Sequence, residues 1–143
     1  MKVSANFSLQ EFIDPETFKK FGDQSIWFLD QKIIHIAQFM RERFKLPVTI
    51  NSWHTGGTFQ FRGFRPPACT VGATLSQHRF GRGIDCNVDG VFPRDVAKDI
   101  IQNFSTYKKY GLTTIEDPGA TETWSHIDVR NNNNSENLLI VKP

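Results

Sequence analysis

A chain of 143 residues, 38% of them hydrophobic and 13 of them Phe, can bury one aromatic-rich core without covalent staples and leaves little room for a second domain. The net charge of +2 is spread along the chain with no basic run, which excludes the clustered basic face of a nucleic-acid binder. Two cysteines, Cys69 and Cys86, are too few for a disulfide framework, and no apolar stretch reaches signal-peptide length or the ~20 residues of a membrane span. These features predict a single domain over 1–143, a monomer with no membrane insertion, with two free thiols. They also predict a cytoplasmic protein until another component releases it.

Ser8 followed by Glu11 has capping-box spacing and predicts a short helix over 9–13. Asp14-Pro15-Glu16 is a second helix start, with Pro at the first helical position. Over 30–44, Leu29, Ile33, Ile36, Ala37, Met40 and Phe44 fall on one helical stripe, and His35, Arg41 and Glu42 fall off it. Pro47 ends this element, and Val48-Thr49-Ile50 reads as a strand. Residues 52–74 carry Gly56, Gly57, Gly63, Pro66 and Pro67 without a period, predicting one long loop of a kind that is usually functional or mobile. A strand is predicted over 83–88, and a helix over 93–104 with Val96, Ala97, Ile100 and Ile101 facing inward. Strands over 111–116 and 124–129 flank the turn residues Asp117-Pro118-Gly119, and 138–141 adds an edge strand. Helices first and strands later give an α+β class, with a small antiparallel sheet and flanking helices.

Two of the four histidines sit in unusual company. One lies in Ser76-Gln77-His78-Arg79-Phe80-Gly81-Arg82-Gly83-Ile84-Asp85, the other in Trp124-Ser125-His126-Ile127-Asp128. Strand alternation places Trp124, His126 and Asp128 on one face and Ile127 and Val129 on the other. The same rule sets Asp85 and Asn87 against Ile84, Cys86 and Val88. Two neighbouring strands could thus present Asp85 and His126 to one cavity, with His78 arriving from the preceding loop. Gly81 and Gly83 would let that loop turn tightly. Three N/O ligands with a fourth position open suit a catalytic zinc. A loop-capping role for His78 and a simple hydrogen-bonding role for His126 fit the spacing as well.

Ser-Gln-His-x-x-Gly-x-x-x-Asp, followed some forty residues later by Trp-x-His-x-Asp, resembles the zinc D-Ala-D-Ala carboxypeptidase family. That family includes peptidoglycan carboxypeptidases and phage endolysin peptidases and shares its fold with the hedgehog signalling domain. The resemblance extends to Val48-Thr49-Ile50-Asn51-Ser52 and covers most of residues 8–130. It implies one zinc ion on His78, Asp85 and His126, with Asp128 and Trp124 supporting the ligands. It also implies a hydrolase that cuts peptidoglycan stem peptides, as carboxypeptidase or endopeptidase.

Two departures stand out. Thr123 occupies the place where the family often has its catalytic Glu, so Glu122 becomes the expected base, narrowly ahead of Glu116. The family's arginine turn is displaced to Gly63-Phe64-Arg65-Pro66, which assigns substrate binding to Arg65, with Arg62 as alternate and Ser76 orienting the loop or substrate. The rival expectations are a non-catalytic zinc-binding module, favoured by Thr123, and a phage structural or host-recognition domain of the same fold.

Overall fold

Short polar side chains start the helices where the sequence places them. In the structure, a computed structural model that describes residues 1–133 and 135–142, the Glu11 carboxylate accepts the Ser8 N–H at 2.8 Å. The turn it opens is a single 3-10 turn, Leu9–Glu11, shorter than the helix predicted over 9–13. Asp14 accepts from Thr17 N at 3.1 Å and begins α1 (Pro15–Phe21), and Asp30 accepts from Lys32 N at 3.0 Å and begins α2 (Gln31–Phe44). Ile33, Ile34, Ile36, Ala37 and Met40 of α2 are buried, and Lys45 in the left-handed region closes the helix ahead of Pro47.

The helix predicted over 93–104 is two helices. α3 (Pro93–Gln102) stops at Asn103, whose side-chain amide donates to the Asp99 carbonyl at 2.9 Å. α4 (Phe104–Lys109) follows and buries Tyr107, whose hydroxyl donates to Asp99 beside the Arg43 guanidinium. Apolar periodicity could not reveal α4, because it is only six residues long and turns just Tyr107 and, partly, Phe104 toward the core.

Five strands form one sheet in the order β1 (Val48–Thr49), β2 (Gly83–Val88), β4 (Ser125–Asp128), β3 (Thr114–Glu116), β5 (Leu139–Val141). The first four pair antiparallel, and β5 runs parallel to β3. The sheet is therefore mixed, not the antiparallel sheet predicted. The chain reverses after β4 but passes over β3 to that strand's free edge, so it enters running the same way as β3.

Alternation separates the two faces of the sheet. Ile84, Cys86, Val88, Ile115, Ile127 and Val129 are buried in one cluster with the inner faces of α2 and α3. Each such fully buried aliphatic side chain contributes about 1.5–3 kcal/mol. Cys86 lies in this layer and Cys69 in the long loop, both as free thiols. Burial pushes the Cys86 thiol up to about 12, so it remains neutral. Among the described residues no helix is long and apolar enough to cross a membrane.

The opposite face is covered by the long connection between β1 and β2, residues 50–82, which contains the 3-10 turns Trp53–Thr55 and Gln77–Phe80. Two glycines pin it. A Cβ on Gly63 would stand 2.2 Å from Phe12 O, and one on Gly81, whose φ is +65°, would stand 1.8 Å from Phe28 O. Gly81→Ala therefore meets both a left-handed backbone and a backbone clash. It should destabilise the protein by more than ~2 kcal/mol, read as a lower urea midpoint with an unchanged slope. A loss below ~0.5 kcal/mol would mean that the loop is not anchored there.

Candidate metal centre

Sheet register brings the chemistry together. Asp85 on β2 is paired directly with His126 on β4. On the other side of β4, Ile115 pairs with Ile127, so Glu116 follows beside His126 one step along the ladder. Asp85, His126 and Glu116 thus form a row across three strands. His78 joins them from the 3-10 turn Gln77–Phe80, passing over Gly83; a Cβ there would stand 3.2 Å from His126 Cε1 and 3.3 Å from His78 N.

Three donor atoms converge. Asp85 Oδ1 lies 3.2 Å from His78 Nε2 and 2.8 Å from His126 Nδ1, and the two ring nitrogens are 3.2 Å apart. All three residues are buried and together form a group able to hold a metal ion. The hydrogen bonds at the far side of each imidazole assign its tautomer. His78 Nδ1–H donates to Gly63 O at 2.8 Å and His126 Nε2–H to Asp128 Oδ2 at 3.2 Å. Such outward N–H donation is the habit of metal-bound histidines. With both rings neutral, as metal ligation requires, this leaves lone pairs on His78 Nε2 and His126 Nδ1, aimed at a carboxylate oxygen. Three acceptors this close repel unless a proton or a metal cation joins them. Tetrahedral ligands about 2.0–2.1 Å from a zinc ion stand about 3.3 Å apart, so the triangle needs only slight opening to fit one.

Charge around the triangle is balanced. Asp85 Oδ2 accepts from Arg65 Nη2 at 2.8 Å, and Asp128, fully buried, accepts from the Arg130 guanidinium and from Arg130 N at 3.1 Å. Burial opposes charge on Asp85, but its contacts with the His126 and His78 rings outweigh it and hold the carboxyl well below the usual carboxylate range. For His126, burial favours the neutral ring. Hydrogen bonds to Asp128 and Asp85, with the charges of Asp85 and Glu116, nevertheless raise its pKa to about 9.

The centre forms the floor of an open cleft of about 630 Å³, with Arg65, Leu75, Ser76, Glu116, Trp124 and Arg130 around it. Glu116 Oε1 is 4.0 Å from His126 Nδ1, whereas Glu122 is exposed in a separate groove with Phe92 and Arg94. Of the two carboxylates expected as a base, only Glu116 is in the cleft. Glu122 begins no strand: β4 starts at Ser125, and alternation does not extend back to it. Thr123 is exposed, and its carbonyl accepts from Asn87 Nδ2 at 2.7 Å.

Arg65 commits Nη2 to Asp85 and Nε to Phe61 O at 2.6 Å, leaving Nη1 beside Gly72 at the cleft wall. Arg62 is not part of that wall. Its guanidinium lies 3.5 Å from the Phe59 ring centroid and bonds to Asn87. Ser76 and Trp124 line the cleft as expected. Arg130 was missed by sequence reading, although the alternation that pairs His126 with Asp128 reaches it two residues later. The Gly63 carbonyl that orients His78 left no signal in residue type.

No protein-family model matches the chain, and comparison with curated proteins and with solved structures finds no match either.

The purified protein should bind about one zinc per chain, and His78→Ala, Asp85→Ala and His126→Ala should each abolish it. Asp128→Asn should retain the site but weaken zinc affinity ~10–100-fold, because the partner that orients His126 is impaired. Elemental analysis and competition with a chromogenic chelator check both. Stoichiometric zinc in His126→Ala would refute the ligand set.

pH should act in opposite directions on the metal-free and loaded protein. Without metal, His126 stays charged in the fold up to about pH 9, against 6.5 for the ordinary imidazole. That contribution to stability is full below pH 6.5 and is lost as pH rises through about 9. The chelated protein should thus melt progressively lower across this window, while the gain from added zinc grows, since zinc competes with the proton. A flat melting profile for the chelated protein would argue against a shared proton at the centre.

Proposed function

We propose that the chain is a zinc-dependent peptidase that hydrolyses amide bonds in the stem peptides of bacterial peptidoglycan. The observation that carries this reading is the convergence of His78 Nε2, Asp85 Oδ1 and His126 Nδ1 at the floor of an open cleft, with the Glu116 carboxylate 4.0 Å from His126 Nδ1. Support for a peptidoglycan peptide as substrate comes from the resemblance of the two histidine motifs to the D-Ala-D-Ala carboxypeptidases.

His78, Asp85 and His126 would hold the zinc ion, which when bound would supply Lewis-acid polarisation of a carbonyl and acidification of water. The protein's own groups do the rest. Glu116 acts as general base, close enough to the ligands to take a proton from a water poised over them. Once protonated, it can return that proton to the departing amine. Asp128 keeps the His126 Nε2–H in place, so the Nδ1 lone pair stays directed at the centre. Arg65 serves twice: Nη2 neutralises Asp85, and the free Nη1 edge offers hydrogen bonds to a substrate carboxylate or carbonyl. Leu75 and Trp124 give the cleft apolar walls that limit water around the reacting bond.

Mass spectrometry of muropeptides incubated with zinc-loaded protein tests the activity and identifies the bond cut. Glu116→Gln should keep zinc and lower hydrolysis at least ~100-fold, whereas Glu122→Gln should remain within ~3-fold of wild type. A dead Glu122→Gln protein beside an active Glu116→Gln one would transfer the base to Glu122. No cleavage by zinc-loaded wild type would leave a metal-binding module without peptidase activity.

A further inference from the structure

Arg79 follows the ligand His78 in sequence, yet its side chain serves a different part of the molecule. Its guanidinium donates to four backbone carbonyls of one segment. Nε reaches Ala73 O at 3.2 Å, Nη1 reaches Pro66 O at 3.2 Å and Pro67 O at 3.0 Å, and Nη2 reaches Cys69 O at 2.7 Å. Among the described residues all its hydrogen bonds go to backbone carbonyls, and no carboxylate pairs with it. Segment 66–73 has little else to hold it. Apart from half-buried Pro66 and Cys69 its residues are exposed, and its one internal backbone bond runs from Cys69 N to Pro66 O at 2.9 Å. Nevertheless Val71, Gly72 and Ala73 form one wall of the cleft over the metal centre. Gly72 also abuts Arg65: with φ at +77°, its backbone comes so near that a Cβ would stand 2.5 Å from Arg65 Nη1.

We propose that Arg79 is a positioning residue, the clasp that holds segment 66–73 as a cleft wall and thereby places the free edge of Arg65. Its place in substrate binding rests on reading this cleft as the peptidase site. The chemistry favours arginine, because a planar fork of five N–H donors can span four acceptors on one strap. A lysine ammonium presents its three donors from a single point and cannot reach them all. The wall is thus fastened by the residue next to a metal ligand, and one short turn serves both the metal and the substrate sides of the cleft.

The sequence provides a test that separates strap from fold. Residues 66–78 contain no Lys or Arg, so trypsin cannot cut there, whereas elastase can cut after Ala68, Val71 and Ala73. In the zinc-loaded full chain, Arg79→Ala should speed elastase cleavage within 66–73 at least ~10-fold, with zinc content, melting temperature and trypsin resistance unchanged. Arg79→Lys should recover only a small part of the protection. On muropeptides, Arg79→Ala should raise KM at least ~10-fold and leave kcat within ~3-fold, the pattern of a lost binding surface. A strap as resistant in Arg79→Ala as in wild type overturns the clasp. So does a loss of zinc or of kcat with KM unchanged, since Arg79 would then act on the metal centre itself. If Arg79→Ala does not fold, Arg79→Lys against wild type decides, and equal elastase rates overturn the proposal. If wild type hydrolyses no peptide, the peptidase reading fails while the elastase comparison still decides the clasp.

Discussion

Three electron pairs facing one another across about 3 Å are the constraint on which this molecule is arranged. Two buried imidazoles are each held with one N–H turned outward, so that in the neutral form neither gives a proton to the centre. The Gly63 carbonyl locks one and the Asp128 carboxylate locks the other. Each lock depends on further structure. Gly63 can sit where it does because it has no side chain to strike Phe12, and Asp128 tolerates full burial because Arg130 matches its charge. A buried carboxylate without such a partner would cost several kcal/mol and would shed its charge instead.

The two faces of the sheet divide the labour. One is a hydrocarbon layer of Ile, Val and Cys side chains against two helices, and it gives the strands their rigidity. The other is polar, yet the loop above it keeps His78, Asp85, His126 and Asp128 from water. That loop is held at discrete points: glycine contacts at Phe12 and Phe28, and hydrogen bonds from arginine side chains to its carbonyls. Between those points its residues are mostly exposed. Rigid ligands below and a lightly held wall above are what a site needs if it must keep a metal yet admit a polymer.

The positions of β2 and of Asp85 and His126 were legible because alternation is a local property. β2 begins and ends where the pattern of Ile84, Cys86 and Val88 predicts, and the same parity places Asp85 and His126 on one face. Which strands are neighbours is not local. Nothing in 138–141 tells that this segment lies beside β3 and parallel to it. The choice between Glu116 and Glu122 failed to resolve for a related reason. Alternation from His126 through Trp124 would reach Glu122 only in a longer strand, but β4 begins at Ser125 and Glu122 is exposed. Arg65 was found as a cleft residue, but its bond to Asp85 depends on a loop path that no periodicity records.

Asp85, His126 and Glu116 stand on three adjacent strands, so their mutual distances are multiples of a fixed ruler, the roughly 4.8 Å between hydrogen-bonded strands. Such a centre cannot be tuned by small backbone shifts. A slip of one residue in any one of these strands would turn its member of the row over to the hydrocarbon side, and a slip of two in β4 would set Trp124 or Asp128 opposite Asp85 in place of His126. Its geometry can change gradually only through side-chain length, by exchange of aspartate with glutamate or of one imidazole nitrogen for the other. Any change in the ion that such a group can hold would therefore have to occur in steps of one methylene or one ring atom, on strands that themselves stay where they are.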